Sequence, residues 1–156
     1  MNRRFSWLVV TAAILAAPLL SCAPASSVRS ISAPTLANPP GYSHAVEARG
    51  TMVYTSGQIA LDGQGNVVGA GDMRAQTEQV FANVKASLAA ANTDFAHAVK
   101  LTVFLTDLSQ ENLLVFRQVR DRYLDPAHLP ANSLVQVVKL VRPELMIEME
   151  AIAVVP

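Results

Sequence analysis

Val99-Lys100-Leu101-Thr102-Val103-Phe104-Leu105-Thr106 sets Val99, Leu101, Val103 and Leu105 in alternation with a second, mixed set of side chains. That period belongs to a strand with one face in a core. Asp107 and Ser109 follow directly, both helix-capping residue types, and the chain from there to Leu124 reads as a helix stopped by Asp125-Pro126. On the other side of the strand, Asp72 is placed to cap a helix over 73–91. Thr77, Val80, Phe81, Val84 and Leu88 recur on one of its faces, and Asn92 stands near its end. A strand flanked by two one-faced helices needs a sheet to lie on.

The remaining pattern supplies that sheet. Residues 42–47 and 52–60 read as strands joined at Arg49-Gly50, and Asp62-Gly63-Gln64-Gly65-Asn66 is a dense turn signal before Val67-Val68. Residues 134–141 and 145–154 read as the last two strands, separated by Arg142-Pro143-Glu144. The order strand, strand, helix, strand, helix, strand, strand predicts an α+β layer, a mixed sheet with both helices on one face. Val135, Val137 and Val141 oppose Leu134, Val138 and Leu140, so apolar side chains point to both sides of one strand. One helical layer cannot cover both, and association between copies would bury the second.

Composition permits one such domain and narrows its partners. Lys plus Arg and Asp plus Glu each number 12, giving no net charge. The isoelectric point is about 6.8. No global field therefore draws nucleic acid or anionic lipid. His44, His97 and His128 are scattered without metal-ligand spacing, the serines lack a nucleophile motif, and Gly63, Gly65, Gly69 and Gly71 lack the Lys-Ser/Thr of a phosphate loop. No metal and no cofactor are expected.

Ahead of residue 42 the chain changes character. Arg3 and Arg4 precede an apolar run over 7–20, long enough for the hydrophobic region of a signal peptide and short of a membrane span. Leu19-Leu20-Ser21-Cys22 resembles a bacterial lipobox, in which cleavage precedes the cysteine and the thiol is lipidated. Cys22 is the sole cysteine, so a disulfide within one copy is impossible. Cleavage near Ala23-Pro24-Ala25, releasing a soluble secreted protein, is the other reading. Residues 23–40, rich in proline and serine, read as a tether with a reach of roughly 55 Å at about 3.1 Å per residue. The expected organisation is thus a signal peptide over 1–21, a lipid-attachment cysteine and tether over 22–41, and a domain over 42–156. Ala23, rather than an aspartate, follows the cysteine, which by resemblance to lipoprotein sorting rules points to the outer membrane facing the periplasm.

Three short segments carry more than a fold: Thr55-Ser56-Gly57-Gln58, Pro130-Ala131-Asn132-Ser133 and Ile147-Glu148-Met149-Glu150-Ala151-Ile152-Ala153. With Tyr42 ahead of them and Val103-Phe104-Leu105-Thr106-Asp107-Leu108 between, their order and spacing resemble the RidA (YjgF-type, L-PSP) family from about residue 42 to 155. The resemblance implies a RidA/chorismate-mutase-like fold, a homotrimer with small-molecule pockets at subunit boundaries, and an enamine/imine deaminase-like hydrolase of the 2-iminobutanoate/2-iminopropanoate kind. It also implies site residues: Glu148 for the catalytic water, and Tyr42, Ser56, Gly57, Asn132 and Ser133 around the substrate.

One position departs from the family. Deaminating members carry arginine in Pro-Ala-Arg-Ser, and here the residue is Asn132. A guanidinium is permanently charged and forked for a carboxylate, whereas an amide is neutral, with two donors and one acceptor atom. Two consequences are open. The activity persists on another anchor, for which Arg117 is the candidate: aligning Arg122-Tyr123-Leu124 with the family's aromatic helix end puts Arg117 where many members have asparagine. Alternatively the chain is a non-catalytic, envelope-tethered trimer that binds a small molecule or protein in the same clefts. Plainer explanations exist for each residue. Tyr42 can cap a sheet edge, Gly57 can permit a bend, Glu148 and Glu150 can form the solvated side of an edge strand, and Arg117 can lie with Arg120 and Arg122 on a solvated helix face. Ribonuclease activity, attributed to some relatives, is disfavoured by zero net charge and the absence of a basic aromatic platform.

Overall fold

The alternating strand at the centre of the sequence argument forms β5, Ala98–Leu105, in a computed structural model that describes residues 27–156. Leu101, Val103 and Leu105 are fully buried on one face, and Lys100, Thr102 and Phe104 are half-buried on the other. The strands before it are β1 (Ser27–Ile31), β2 (Ala45–Arg49), β3 (Met52–Tyr54) and β4 (Gln58–Ile59). Helix α1 covers Met73–Ala90, α2 covers Gln110–Arg120, and β6 (Ala131–Gln136) and β7 (Ile147–Val154) close the chain. β7 is central: it runs antiparallel to β5 on one side and to β3 and β4 on the other, while β6 lies parallel to β5 at the edge. The sheet is mixed and the class is α+β, as the order of elements requires.

The core lies between the sheet and the helices. Ile147, Met149, Ala151 and Ala153 of β7 are buried, in register with Leu105, Val103 and Leu101 of β5. Val80, Phe81, Val84 and Leu88 of α1 and Phe116 and Val119 of α2 complete it. Each large apolar side chain so buried contributes about 1.5–3 kcal/mol. Helix α1 begins where the sequence placed its cap: the Asp72 carboxylate accepts from the backbone N–H of Arg74 and Ala75 at 2.9 and 3.1 Å. Just past its end, after the cap at Ala91, Asn92 has a φ of 58°, the left-handed conformation that asparagine tolerates at a helix terminus.

Five expectations need correction, each for a physical reason. Residues 52–60 are not one strand. Tyr54 faces Ile152 and Gln58 faces Met149, so β3–β4 spends one residue more than β7 over the same span. The surplus is taken up at Thr55-Ser56-Gly57, where the Thr55 hydroxyl accepts the Ala151 N–H. The strand expected over 134–141 lies at Ala131–Gln136 instead. Its parallel partner ends at Leu105, whose carbonyl accepts the Val137 N–H at 2.8 Å, and beyond that point the chain has no ladder to join; Val138 is 99% exposed.

The strand expected over 42–47 begins at Ala45, leaving Tyr42 in the segment ahead of it. Helix α2 stops at Arg120 rather than Leu124, because the N–H groups of Arg122 and Tyr123 turn to carbonyls three residues back. Finally, the proline- and serine-rich stretch expected as a tether contains β1, paired with β2 over Ser27 to Ile31. This ribbon is polar on most of its surface, so backbone pairing rather than hydrophobic period defines it. The Ser30 hydroxyl donates to the Leu129 carbonyl at 3.0 Å, fastening the ribbon to the domain.

Candidate functional site

Helix α2, β6 and the segment before β2 enclose an open pocket of about 310 Å3. The segment is held in place by its own side chains. His44 accepts the Ala33 N–H at Nδ1 and lies 3.0 Å through Nε2 from the Ala37 carbonyl, which closes residues 33–44 into a strap. Ser43 donates its N–H to the Pro130 carbonyl at 2.9 Å and its hydroxyl to the Leu129 carbonyl at 2.6 Å. Those bonds tie Tyr42 to the start of β6, one residue from the bridge between Ser43 and Ala131.

Asn132 lines the pocket with Tyr42, as does Leu134 two residues further along β6. Its Oδ1 is buried and has no donor, an arrangement that native interiors seldom leave uncompensated. Arg117 and Arg120 reach the pocket from α2, over a floor that includes Phe116, Leu113 and Leu108. The Arg117 guanidinium makes no hydrogen bond or ion pair among the described residues. The candidate anchor therefore sits beside Asn132 in the same cavity.

Arg120 was not singled out by sequence reasoning, which placed it on a solvated face. It is 7% exposed. Its Nε and Nη2 donate to Asp121 Oδ1 at 2.9 and 2.7 Å. The signal was available: Phe116, Val119 and Arg120 occupy successive turns of one helical face, so whatever buries Phe116 also encloses Arg120.

Glu148, Gly57, Ser56 and Ser133 fall elsewhere. Along β7, Glu148 and Glu150 point away from the buried Met149 and Ala151, toward the face without helices. Glu148 lies opposite Phe104 and Ile59 on a central strand, so it is not on the edge of the sheet. Burial, and then the neighbouring Glu150 charge, push its carboxyl above the ordinary carboxylate range. Gly57 packs against it: a methyl group at Gly57 would overlap the Glu148 carboxylate. Ser56 is exposed and its carbonyl accepts from Gln58 Nε2 at 3.2 Å. Ser133, one residue on from Asn132, alternates to the helix-free face and accepts a hydrogen bond from Lys100 Nζ at 2.7 Å.

Within one copy the candidates thus form two groups. Tyr42, Asn132, Arg117 and Arg120 share a pocket on the helical side, and Gly57 and Glu148 meet across β4 and β7 with Ser133 on the far face of β6. Cys22 lies outside the described residues.

An α+β domain with a Ser-Gly turn packed on a C-terminal strand glutamate and a cleft along the Pro-Ala-X-Ser strand defines a known class of small proteins. The family model described as endoribonuclease L-PSP matches residues 31–155. The chain belongs to that family, the RidA/YjgF/L-PSP proteins. It is 42% identical over 129 residues to protein DfrA of Myxococcus xanthus, covering 82% of this chain and 94% of that one. It is 41% identical over 110 residues to the 2-iminobutanoate/2-iminopropanoate deaminase of Salmonella typhimurium, covering 67% and 80%. Among solved structures, the Rid-family protein YyfB from Yersinia pestis superposes with a TM-score of 0.73 at 37% identity, over 81% of this chain and 98% of that one. The family match begins at residue 31, in agreement with a domain that includes residues ahead of Tyr42.

Proposed function

We propose that this chain is a hydrolase of small reactive imines and enamines in which the anchor for the substrate carboxylate has moved from β6 to α2. The observation that carries the reading is that Arg117, free of any partner among the described residues, opens into the cavity lined by Tyr42 and Asn132. The name and identity of the Salmonella deaminase support the reaction class. Hydrolysis adds water to the C=N carbon, and the tetrahedral adduct then collapses to a carbonyl compound and ammonia. Glu148, raised above the usual carboxylate range, is suited to carry a proton between water and the departing nitrogen. Arg117 would hold the carboxylate, and the free Asn132 Oδ1 would accept from the substrate N–H.

The active assembly in this reading is a homotrimer, because Glu148 and the pocket lie on opposite sides of one sheet and a neighbouring copy must bring them together. Support comes from the uncovered face, where Val135 and Tyr54 are exposed beside Phe104 and the two glutamates. The chain is further proposed to be exported and anchored through Cys22 in the outer membrane. Since β1 starts at Ser27, the link from Cys22 spans at most about 18 Å at 3.3–3.6 Å per residue. The domain would then sit against the bilayer rather than far from it.

The decisive experiment supplies freshly generated 2-iminopropionate to the purified protein and follows its decay. Faster loss than in buffer, abolished in Arg117→Ala, is the expected result. No acceleration in the wild type or in Asn132→Arg would turn the reading toward a binding module without catalysis. Light scattering of the same sample tests the trimer, and mass spectrometry of the mature N-terminus tests for a diacylglyceryl group on Cys22.

A further inference from the structure

Two guanidiniums enter the pocket and no carboxylate lines it. Arg117 and Arg120 are three residues apart on α2, so they share a helical face with about 5–6 Å between their Cβ atoms. Arg120 cannot swing clear. Its guanidinium fills the space a Cβ at Gly41 would need, and Nη1 lies 3.5 Å from the Pro40 carbonyl beneath the strap. Its ion-pair partner Asp121 is largely exposed, on the solvent side, where water screens the pair. A guanidinium carries five N–H donors, and the contacts to Asp121 and Pro40 use one each on Nε, Nη1 and Nη2, leaving two without a partner among the described residues on a side chain that lines the cavity.

A single carboxylate on Arg117 would leave Arg120, itself buried, with the exposed Asp121 as its one counter-ion among the described residues. A second carboxylate would meet Arg120, while Leu108, Leu113 and Leu134 offer an apolar surface for the carbons between. We infer that the pocket takes a small dianion, in class a 2-imino or 2-oxo dicarboxylic acid, held by Arg117 and Arg120 of α2. This rests on the reading of the pocket as the substrate site and narrows it to acids with a distal carboxylate.

Calorimetric titration of the purified protein with 2-oxoglutarate and with 2-oxopentanoate, which has the same carbon chain without the distal carboxylate, tests the inference. The diacid is expected to bind about 10- to 100-fold more tightly, the worth of hydrogen bonds to a charged group. Arg120→Gln is expected to bring the two affinities together. Equal affinities in the wild type, or a preference that survives in folded Arg120→Gln, would overturn it. Should that variant fail to fold, the wild-type pair repeated at raised salt decides: the diacid's affinity must fall more steeply than the monoacid's. Neither probe can be deaminated, so a protein without imine hydrolase activity can still pass or fail this test.

Discussion

Gly57 lies so close to Glu148 that the glutamate's carboxylate occupies the place of any side chain on residue 57. The glycine is there for space, since its φ is not in the left-handed region. The obstructing atoms are the far end of a flexible side chain, so a methyl group can be admitted by turning Glu148 aside. Gly57→Ala should therefore leave thermal stability within about 1 kcal/mol of the wild type. Imine hydrolysis should fall by about 100-fold, the usual scale for losing a positioned proton carrier. Melting curves and initial rates on the same preparation check both halves, and a large loss of stability would show the packing to be structural.

Glu148 also sets a pH dependence. Its carboxyl is raised by burial first and by Glu150 second, so the folded state binds its proton more tightly than the unfolded state does. The associated stability is fully present below the ordinary carboxylate range and is lost as pH rises through the raised value. Glu148→Gln keeps the shape and removes the titration. The melting temperature of the variant minus that of the wild type should therefore increase from about pH 4 toward neutrality. A constant difference across that range would refute the assignment.

How far these residues could be read in advance depends on what announces each one. β5 and α1 were legible because burial of one face imposes a period, seen at Leu101, Val103 and Leu105 and at Val80, Phe81, Val84 and Leu88. β1 was not, because a polar two-stranded ribbon held by backbone bonds and the Ser30–Leu129 contact leaves no such trace. The displacement of β6 and the break at Thr55-Ser56-Gly57 are set by where the partner strands end and how residues are counted across the pair. Arg120 was missed for a related reason: a charged residue suggests solvent, and only the strap over it at Pro40 and Gly41 removes the solvent.

The exchange of roles between β6 and α2 predicts a rescue. Arg117→Ala should weaken binding of a 2-oxo acid by about 30-fold to a few thousand-fold, corresponding to the 2–5 kcal/mol that losing one member of a desolvated charge pair costs. Adding Asn132→Arg to that variant returns a guanidinium to the same cavity from the opposite wall. Binding should then recover most of the loss. Titration of the single and double variants measures it, and a double variant no better than Arg117→Ala would mean that the two positions do not serve one carboxylate.

The loop that delivers β7 to the sheet depends on one buried amide. Gln76 is fully enclosed. Its Nε2 donates to the Glu144 carbonyl at 2.7 Å and the Gly69 carbonyl at 3.2 Å, and its Oε1 accepts the Met146 N–H at 2.8 Å. In the loop over 137–141, Val138 and Val141 are exposed and only Leu140 packs, in part, against the core, so this clamp fixes where the chain re-enters the core at Leu145 and Ile147. Gln76→Leu fills the space but leaves two carbonyls and an N–H without their partners at partly buried positions. At about 1–3 kcal/mol for a buried group left unsatisfied, and with water able to reach part of this site, the variant should lose about 1–3 kcal/mol in denaturant unfolding. Gln76→Glu should lose less near pH 4, where a protonated carboxyl can still donate to one carbonyl, than near pH 8, where it cannot. A Gln76→Leu variant as stable as the wild type would show that the loop reaches its place without the clamp, leaving the Thr106 N–H bond to the Met146 carbonyl to hold the start of β7.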